Sequence, residues 1–456
     1  MLCTRNIHVI VCPLRTEKKR KFDEAMVEIR PFKATIINPE MEIGKLICPV
    51  YDTIDAANYR KFANEKNNII HVTTRRKDLD RDKFIEVASK ELERFKKTGV
   101  LVEREKPALY IYGIMFSLQP ETLAMLPEND RRSKYFVFGL VSLVKVEELG
   151  KGSIVGHENI FEINSNERYR LMKATMMNFS PIAAEYSMPG HELNNIFEEY
   201  LGFKRPDYIP NPDKPPIVDV SINGSRHFLW EITDGSLIGK ITEKVSGLKL
   251  LILDGHHRYT ASNLLREKDG IEYTMMMLME GGDRALQLFP WHRAVRNLRY
   301  EELATRIREN FSVEWQSVAN DEEFYSHLRE RASVYDVKLG MYDGKKFSII
   351  RADENAVREI SKKRGEVVGL DLIILHDLII NPAIRGKPEE DVSFNASPKE
   401  AVAKVDSKEY QVAFILNPFS IKDVERKAFE EHRNFPQKST LFLPKVAEGI
   451  VMRTIM

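Results

Sequence analysis

A chain of 456 residues that is 43% hydrophobic has room for about three domains and ample material for sizeable cores. Lysine and arginine number 69 against 68 aspartates and glutamates, so the overall field gives no reason to expect nucleic acid or an anionic membrane as a partner. Cys3, Cys12 and Cys48 are an odd set without metal-ligand spacing, and no apolar run approaches the roughly 18 residues of a membrane helix. A reduced, cytoplasmic protein is therefore expected.

Residues 1–25 hold an apolar patch too short and interrupted for a good signal peptide, followed by Arg15, Lys18, Lys19, Arg20 and Lys21. They are expected to be a basic, disordered extension. "MVEIRPFKATIINP" predicts a strand ended by Pro39, and "KLICPVYDTIDAANYRKFANEK" a short strand, a loop carrying Tyr51 and Asp52, and a helix. A longer helix is expected from about Arg81 to Lys97, then two strands in "PALYIYGIMF" and "KYFVFGLVSLVKV", rich in aromatic and branched residues. "GSIVGHENIFEINSNERYRLMKATMMNFSPIAAEY" turns from strand to helix, with Asn164 or Ser165 as cap and Pro181 as stop. The proline-rich "GFKRPDYIPNPDKPP" is a loop or lid candidate, and "PIVDVSIN" and "RHFLWEIT" predict two further strands.

Leu248 to Leu253 is short, unbroken and apolar, as in a strand buried on both faces, and Ala261, Leu264 and Leu265 follow at helical spacing. From about Tyr300 the elements shorten, with a hairpin at "GMYDGKKFSIIRA" turning on Asp343-Gly344. "LDLIILHDLII" and "STLFLPKVAEGIVMRTI" are candidates to return to the main sheet. The expected organisation is a main α/β domain over residues 26–299 and a C-terminal α/β subdomain over 300–456 whose last strand returns to the main site.

The P-loop, the dinucleotide Gly-x-Gly-x-x-Gly, the Gly-x-Ser-x-Gly elbow and paired Cys-x-x-Cys are all absent from the sequence. Any phosphate chemistry must use another architecture, and "LDGHHRYTAS" offers one. At a strand-turn-helix junction the first helical N–H groups lack partners, so an anion is a natural guest; Gly255 lets the backbone approach and Arg258 adds a forked cation. The plainer alternative is that Asp254 caps the helix and His256 and His257 are packing groups. As sequence neighbours the two histidines point about 100° apart on a helix and cannot chelate one metal together. His157-Glu158 precedes a helix carrying Arg168, Arg170 and Lys173, which fits a general base, a magnesium ligand or half of a solvated ion pair. Lys438, Ser439, Thr440 and Lys445 set hydroxyls and two point charges around a short strand, suited to phosphate or simply to a surface strand.

Six stretches in this order, "IRPFKA", "PVYDTI", "GHENI", "NERYRLMKATMMNFSPI", "LDGHHRYTAS" and "PQKSTLFLPKVAEGI", resemble an uncharacterised bacterial and archaeal family (DUF1015-type) marked by an Asp-Gly-His-His-Arg core. The likeness runs from about Val27 to the end. The family generally has a threonine after its His-Glu pair where this chain has Asn159, and an aspartate where it has Glu167. The Asp-Gly-His-His-Arg turn is in addition similar to that of the ParB/sulfiredoxin-like superfamily, which includes archaeal free-serine kinases and nucleotide-binding partition proteins. That resemblance implies a mixed α/β fold: a ParB/sulfiredoxin-like core with a large insertion and a C-terminal α/β extension.

It further implies Gly255, His256, His257 and Arg258 at nucleotide phosphates, with Lys438, Ser439, Thr440 and Lys445 in support. Asp254, Glu158 and His257 become catalytic candidates, with Arg30, Asp52, His157, Arg168 and Asn178 as substrate-binding or supporting groups. Magnesium held by Asp254 or Glu158, and ADP or ATP as phosphate donor, are the implied cofactors. The family's frequent company with serine-biosynthesis genes makes serine or phosphoserine the first substrate to test. Nucleotide-dependent phosphotransfer is thus the expectation, beside two alternatives: a phosphomonoester hydrolase and a non-catalytic nucleotide switch. Sulfiredoxin chemistry is disfavoured because the turn carries no cysteine.

Overall fold

A computed structural model describes residues 26–54, 56–159, 162–318, 322–366, 369–418, 420–436 and 438–455. The expected basic extension, with Cys3 and Cys12, lies outside them. The centre of the molecule is a mixed nine-stranded sheet. Its path runs Val218–Ile222, Ser225–Ile232, Leu109–Phe116, Tyr135–Lys145, Tyr273–Glu280, Ile182–Tyr186, Leu250–Asp254 and Ile154–Val155, with Ile29–Arg30 pairing off the path to Tyr135–Lys145. Most pairs are antiparallel; Tyr273–Glu280 runs parallel to Ile182–Tyr186, and Leu250–Asp254 parallel to Ile154–Val155.

Strand alternation places two cores on the two faces of this sheet. Leu109 and Ile111, Phe136, Phe138 and Leu140 face one side, where the helices Glu192–Leu201 and Gly235–Ser246 pack. Tyr110, Tyr112, Val137 and Val141 face the other, shared with the helix Arg81–Lys97 and with satellite sheets. Burial on both faces explains why these strands read as near-continuous apolar runs rather than as alternating ones.

A six-stranded sheet, in the order Phe311–Ser317, Phe347–Ala352, Lys338–Tyr342, Val412–Ile415, His292–Val295, Val392–Asn395, forms a further layer. Its strand His292–Val295 precedes residue 300. "LDLIILHDLII" is helical and buried against this sheet, not a strand of the main one: its run of Leu and Ile fills the third core from several sides. The final segment does not join the main sheet either; its short strands pair in satellite sheets. Thr440–Leu443 pairs with Gln287–Pro290, Ala447–Glu448 with Cys48–Pro49, and Met452–Thr454 joins Ala34–Ile37 and Met177–Asn178 in a four-stranded sheet.

Three other local expectations need correction. The helix carrying Asn164 and Ser165 is already running at Glu162, so neither residue caps it. It ends at Thr175, because Met176 takes a left-handed turn (φ 48°) into a strand, well before Pro181. The proline-rich loop is not a lid over the site described below: Phe203 and Tyr208 pack on Phe136, Phe228 and Trp230 on the main sheet, and Arg205 is tied to Glu198 and Asp283.

Candidate functional site

The strand Leu250–Asp254 is completely buried up to its last residue and passes directly into the helix His256–Asp269. Gly255 makes the junction at φ 95°, where L side chains are strained. A Cβ there would also lie 2.9 Å from Arg258 Nε and Nη2, so the guanidinium rests against the glycine backbone. The helical ladder opens with Tyr259 N–H donating to the Gly255 carbonyl at 2.9 Å, which leaves the N–H groups of His256, His257 and Arg258 ahead of it.

Asp254 does not cap the helix. Its Oδ2 accepts from Arg258 Nη2 at 2.7 Å and its Oδ1 from Lys445 Nζ. Burial works to raise the Asp254 pKa, but Lys445 and Arg258 outweigh it and hold the carboxyl well below the usual range. Arg258 Nη1 meanwhile donates to Ser180 Oγ at 2.6 Å and to the Pro181 carbonyl at 2.8 Å. The arginine that looked like an anion grip therefore faces inward, behind Asp254.

His157, Glu158 and Thr440 form a second connected group. The Ile252 carbonyl accepts from His157 Nδ1 at 2.7 Å, which fixes the ring's tautomer. His157 Nε2 lies 2.7 Å from Thr440 Oγ1, which lies 2.8 Å from Glu158 Oε1. The same Oε1 accepts from the backbone N–H of Ser439 and of Thr440, each at 3.2 Å. Burial pushes His157 below its ordinary pKa. The single Thr440 hydroxyl proton lies between two acceptors, His157 Nε2 and Glu158 Oε1, and serves one of them at a time. One added proton at either end completes both bonds.

Glu158 is not half of an ion pair with the following helix, since Arg168 pairs with Glu167, Arg170 with Asp82 and Lys173 with Asp269. Nor is the Lys438–Lys445 segment an ordinary surface strand: Ser439 and Thr440 are buried. The Ser439 hydroxyl is spent on the Pro436 carbonyl at 2.6 Å. His256 Nε2 accepts from the His157 backbone N–H at 3.2 Å, and burial pushes its pKa well down. His257 bonds Ser165 Oγ through Nδ1 at 3.1 Å, which leaves Nε2 as its remaining polar atom.

Around these groups opens a cavity of about 300 Å³. Its wall joins Asp52 from the N-terminal segment, Glu158 from the middle, Asp254 to His257 from the turn, and Lys438, Thr440 and Lys445 from the C-terminal segment. Lys438 Nζ stands 4.7 Å above the Trp291 ring, another wall residue, whose Nε1 donates to the Thr440 carbonyl at 2.9 Å. A smaller chamber of about 30 Å³ adjoins; Tyr51 lines both, and Arg168, Asn178, Arg258 and Glu448 line the smaller. Arg30 belongs to neither: it pairs with Glu28 and lies over Tyr273, beside the Lys145 end of the central strand Tyr135–Lys145.

Sequence reasoning missed Glu448 and Trp291, and gave Tyr51 no weight. Glu448 stands in the resemblance stretch "PQKSTLFLPKVAEGI", where a carboxylate inside an apolar run was a signal to follow. Among the described residues, no group of three or more His, Cys, Asp or Glu side chains is arranged to hold a metal ion, and no helix is long and apolar enough to cross a membrane.

A family model described as "protein of unknown function (DUF1015)" matches residues 29–372. The chain belongs to that family. No curated protein matches it. Among solved structures, a conserved hypothetical protein from Pyrococcus furiosus is similar at 13% identity and a TM-score of 0.32, covering 66% of this chain and 91% of its own. A free serine kinase in complex with AMP has 13% identity and a TM-score of 0.32, covering 65% and 89%. SbnI with a C-terminal truncation, from Staphylococcus aureus, has 14% identity and a TM-score of 0.35, covering 68% and 85%.

Proposed function

We propose that this protein transfers a phosphoryl group between a nucleotide and a small hydroxylated metabolite, with serine the first to test. One observation carries the reading: a single cavity gathers the Gly255–His257 helix start, Lys438, Lys445 and three carboxylates from segments as far apart as Asp52 and Lys445. Phosphoryl transfer asks for this mixture, because positioning and charge stabilisation do most of its work. The Gly255–His257 turn would cradle phosphate, and Lys438 and Lys445 would neutralise its charge.

In the forward direction the metabolite's hydroxyl oxygen forms a bond to the terminal phosphorus, and the bond from that phosphorus to the nucleotide oxygen breaks. The hydroxyl proton goes to Glu158, whose Oε1 holds Thr440 while Oε2 is left for the cavity. The His157–Thr440–Glu158 chain has a place for that proton. Asp254, held ionised by two cations, is less suited to be the base. Arg258 would hold Asp254 in position from behind.

The donor set fits a magnesium ion that arrives on a polyphosphate better than one held by protein alone. Asp52, Glu158 or Asp254 would supply one or two oxygens, and the ion would neutralise phosphate charge. Calorimetric titration of ADP into Lys438→Ala and Lys445→Met is the test. At least tenfold weaker binding in each is expected; undiminished affinity in both removes the phosphate cavity.

A further inference from the structure

The two lysines that line the larger cavity are held in different ways. Lys445 is ion-paired with Asp254. Lys438 makes no ion pair or hydrogen bond among the described residues, although Asp52, Glu158 and Asp254 share the wall with it. Its ammonium rests instead over the Trp291 ring, 4.7 Å from the centroid. The backbone at Lys438 is left-handed (φ 55°), a conformation that side chains with a Cβ adopt at a cost and that recurs at ligand clamps.

Trp291 is fixed from several directions. Its Nε1 donates to the Thr440 carbonyl at 2.9 Å, and its own carbonyl accepts from the fully buried Arg293. The preceding residue, Pro290, is paired with Thr440 across two short strands. The indole is thus a rigid face set beside a flexible lysine stem.

An aromatic face attracts a cation through its quadrupole without neutralising the charge. Were Lys438 paired with a wall carboxylate, an incoming phosphate would first have to break that ion pair. Were it unheld, the phosphate would have to immobilise a long, freely rotating side chain. Over Trp291 neither cost arises.

We propose that Trp291 is a positioning residue for Lys438: its ring holds the ammonium in place and unneutralised, so that the phosphates of a guest meet the charge on the side away from the ring. The inference deepens the phosphotransfer reading and rests on it for the guest.

The test is calorimetric titration of ADP into the full chain carrying Trp291→Leu, Trp291→Phe, Lys438→Ala, and Trp291→Leu with Lys438→Ala together. Trp291→Leu should weaken ADP about fivefold or more, and Trp291→Phe, which keeps a ring face, by less than about threefold. In the Lys438→Ala chain the Trp291→Leu change should alter affinity by less than about twofold, because its partner is gone. No loss in Trp291→Leu, or the same loss with and without Lys438, overturns the inference and leaves the phosphate cavity standing. Undiminished affinity in both Lys438→Ala and Lys445→Met removes the cavity and the inference with it. A second measurement leaves Trp291 intact: carbon NMR of the chain with its lysines dimethylated, which keeps their charge. The Lys438 signal, assigned by its loss in Lys438→Ala, should be shifted upfield by the indole ring and stay so when inorganic diphosphate saturates the cavity. A Lys438 signal at the ordinary lysine position, with or without diphosphate, overturns the proposal.

Discussion

Thr440→Val removes one hydroxyl and changes almost nothing in shape, so it isolates the bond chain between His157 and Glu158. The wild-type hydroxyl meets His157 Nε2 at 2.7 Å and Glu158 Oε1 at 2.8 Å. A hydrogen bond to a charged group contributes about 1.5–3 kcal/mol and a neutral one about 0.5–1.5 kcal/mol. Glu158 keeps its two backbone donors after the change, while His157, fully buried beside Phe435 and Phe442, has no water to replace its partner. Because the one hydroxyl proton serves one of the two acceptors, the expected loss is about 1.5–3 kcal/mol, with Thr440→Ser close to wild type because it keeps the hydroxyl. Urea unfolding followed by tryptophan fluorescence measures it, since Trp291 donates to the Thr440 carbonyl. A Thr440→Val protein within about 0.5 kcal/mol of wild type would refute the reasoning, because surface-like substitutions fall in that range.

Two other expectations follow from the same geometry. Gly255→Ala should destabilise the chain by roughly 1–3 kcal/mol from backbone strain and the displacement of Arg258; a neutral variant by urea unfolding contradicts the tight approach of Arg258 to the turn. Burial lowers the pKa of His227 to about 4 and of His292 to about 3, below the unfolded value of about 6.5. The stability they provide is present above about pH 6.5 and is lost as the pH falls through the window down to about 4 and about 3. Each should cost about 1.4 kcal/mol between pH 7.5 and 5.5, roughly 3 kcal/mol together. Urea midpoints that do not fall over this interval would show that these rings are protonated in the fold.

Much of the local structure was legible because it follows from short-range rules. The helix Arg81–Lys97 occupies the predicted span, with Asp80 accepting from the Lys83 N–H as its cap. The hairpin turning on Asp343-Gly344 is likewise where the turn signal put it. The strand-turn-helix at Gly255 could be read from an apolar run, a glycine and helical spacing. What could not be read was the direction of side chains and the assembly of distant segments. Arg258 has the sequence of an anion grip, yet its helix turns it toward Ser180 and Pro181. "LDLIILHDLII" carries a strand's composition but fills a core as a helix, a choice that tertiary packing makes. Glu448 reaches the site because Ala447–Glu448 pairs with Cys48–Pro49, some 400 positions away in the chain, and no local pattern encodes such a pairing.

The most direct test of the central claim is phosphorus NMR of the purified protein with magnesium and ADP, ATP or CTP, with L-serine or phosphoserine added in parallel. Nucleotide-dependent interconversion of serine and phosphoserine is the expected result. Spectra in which no phosphorus resonance moves in any mixture would contradict phosphotransfer at this cavity.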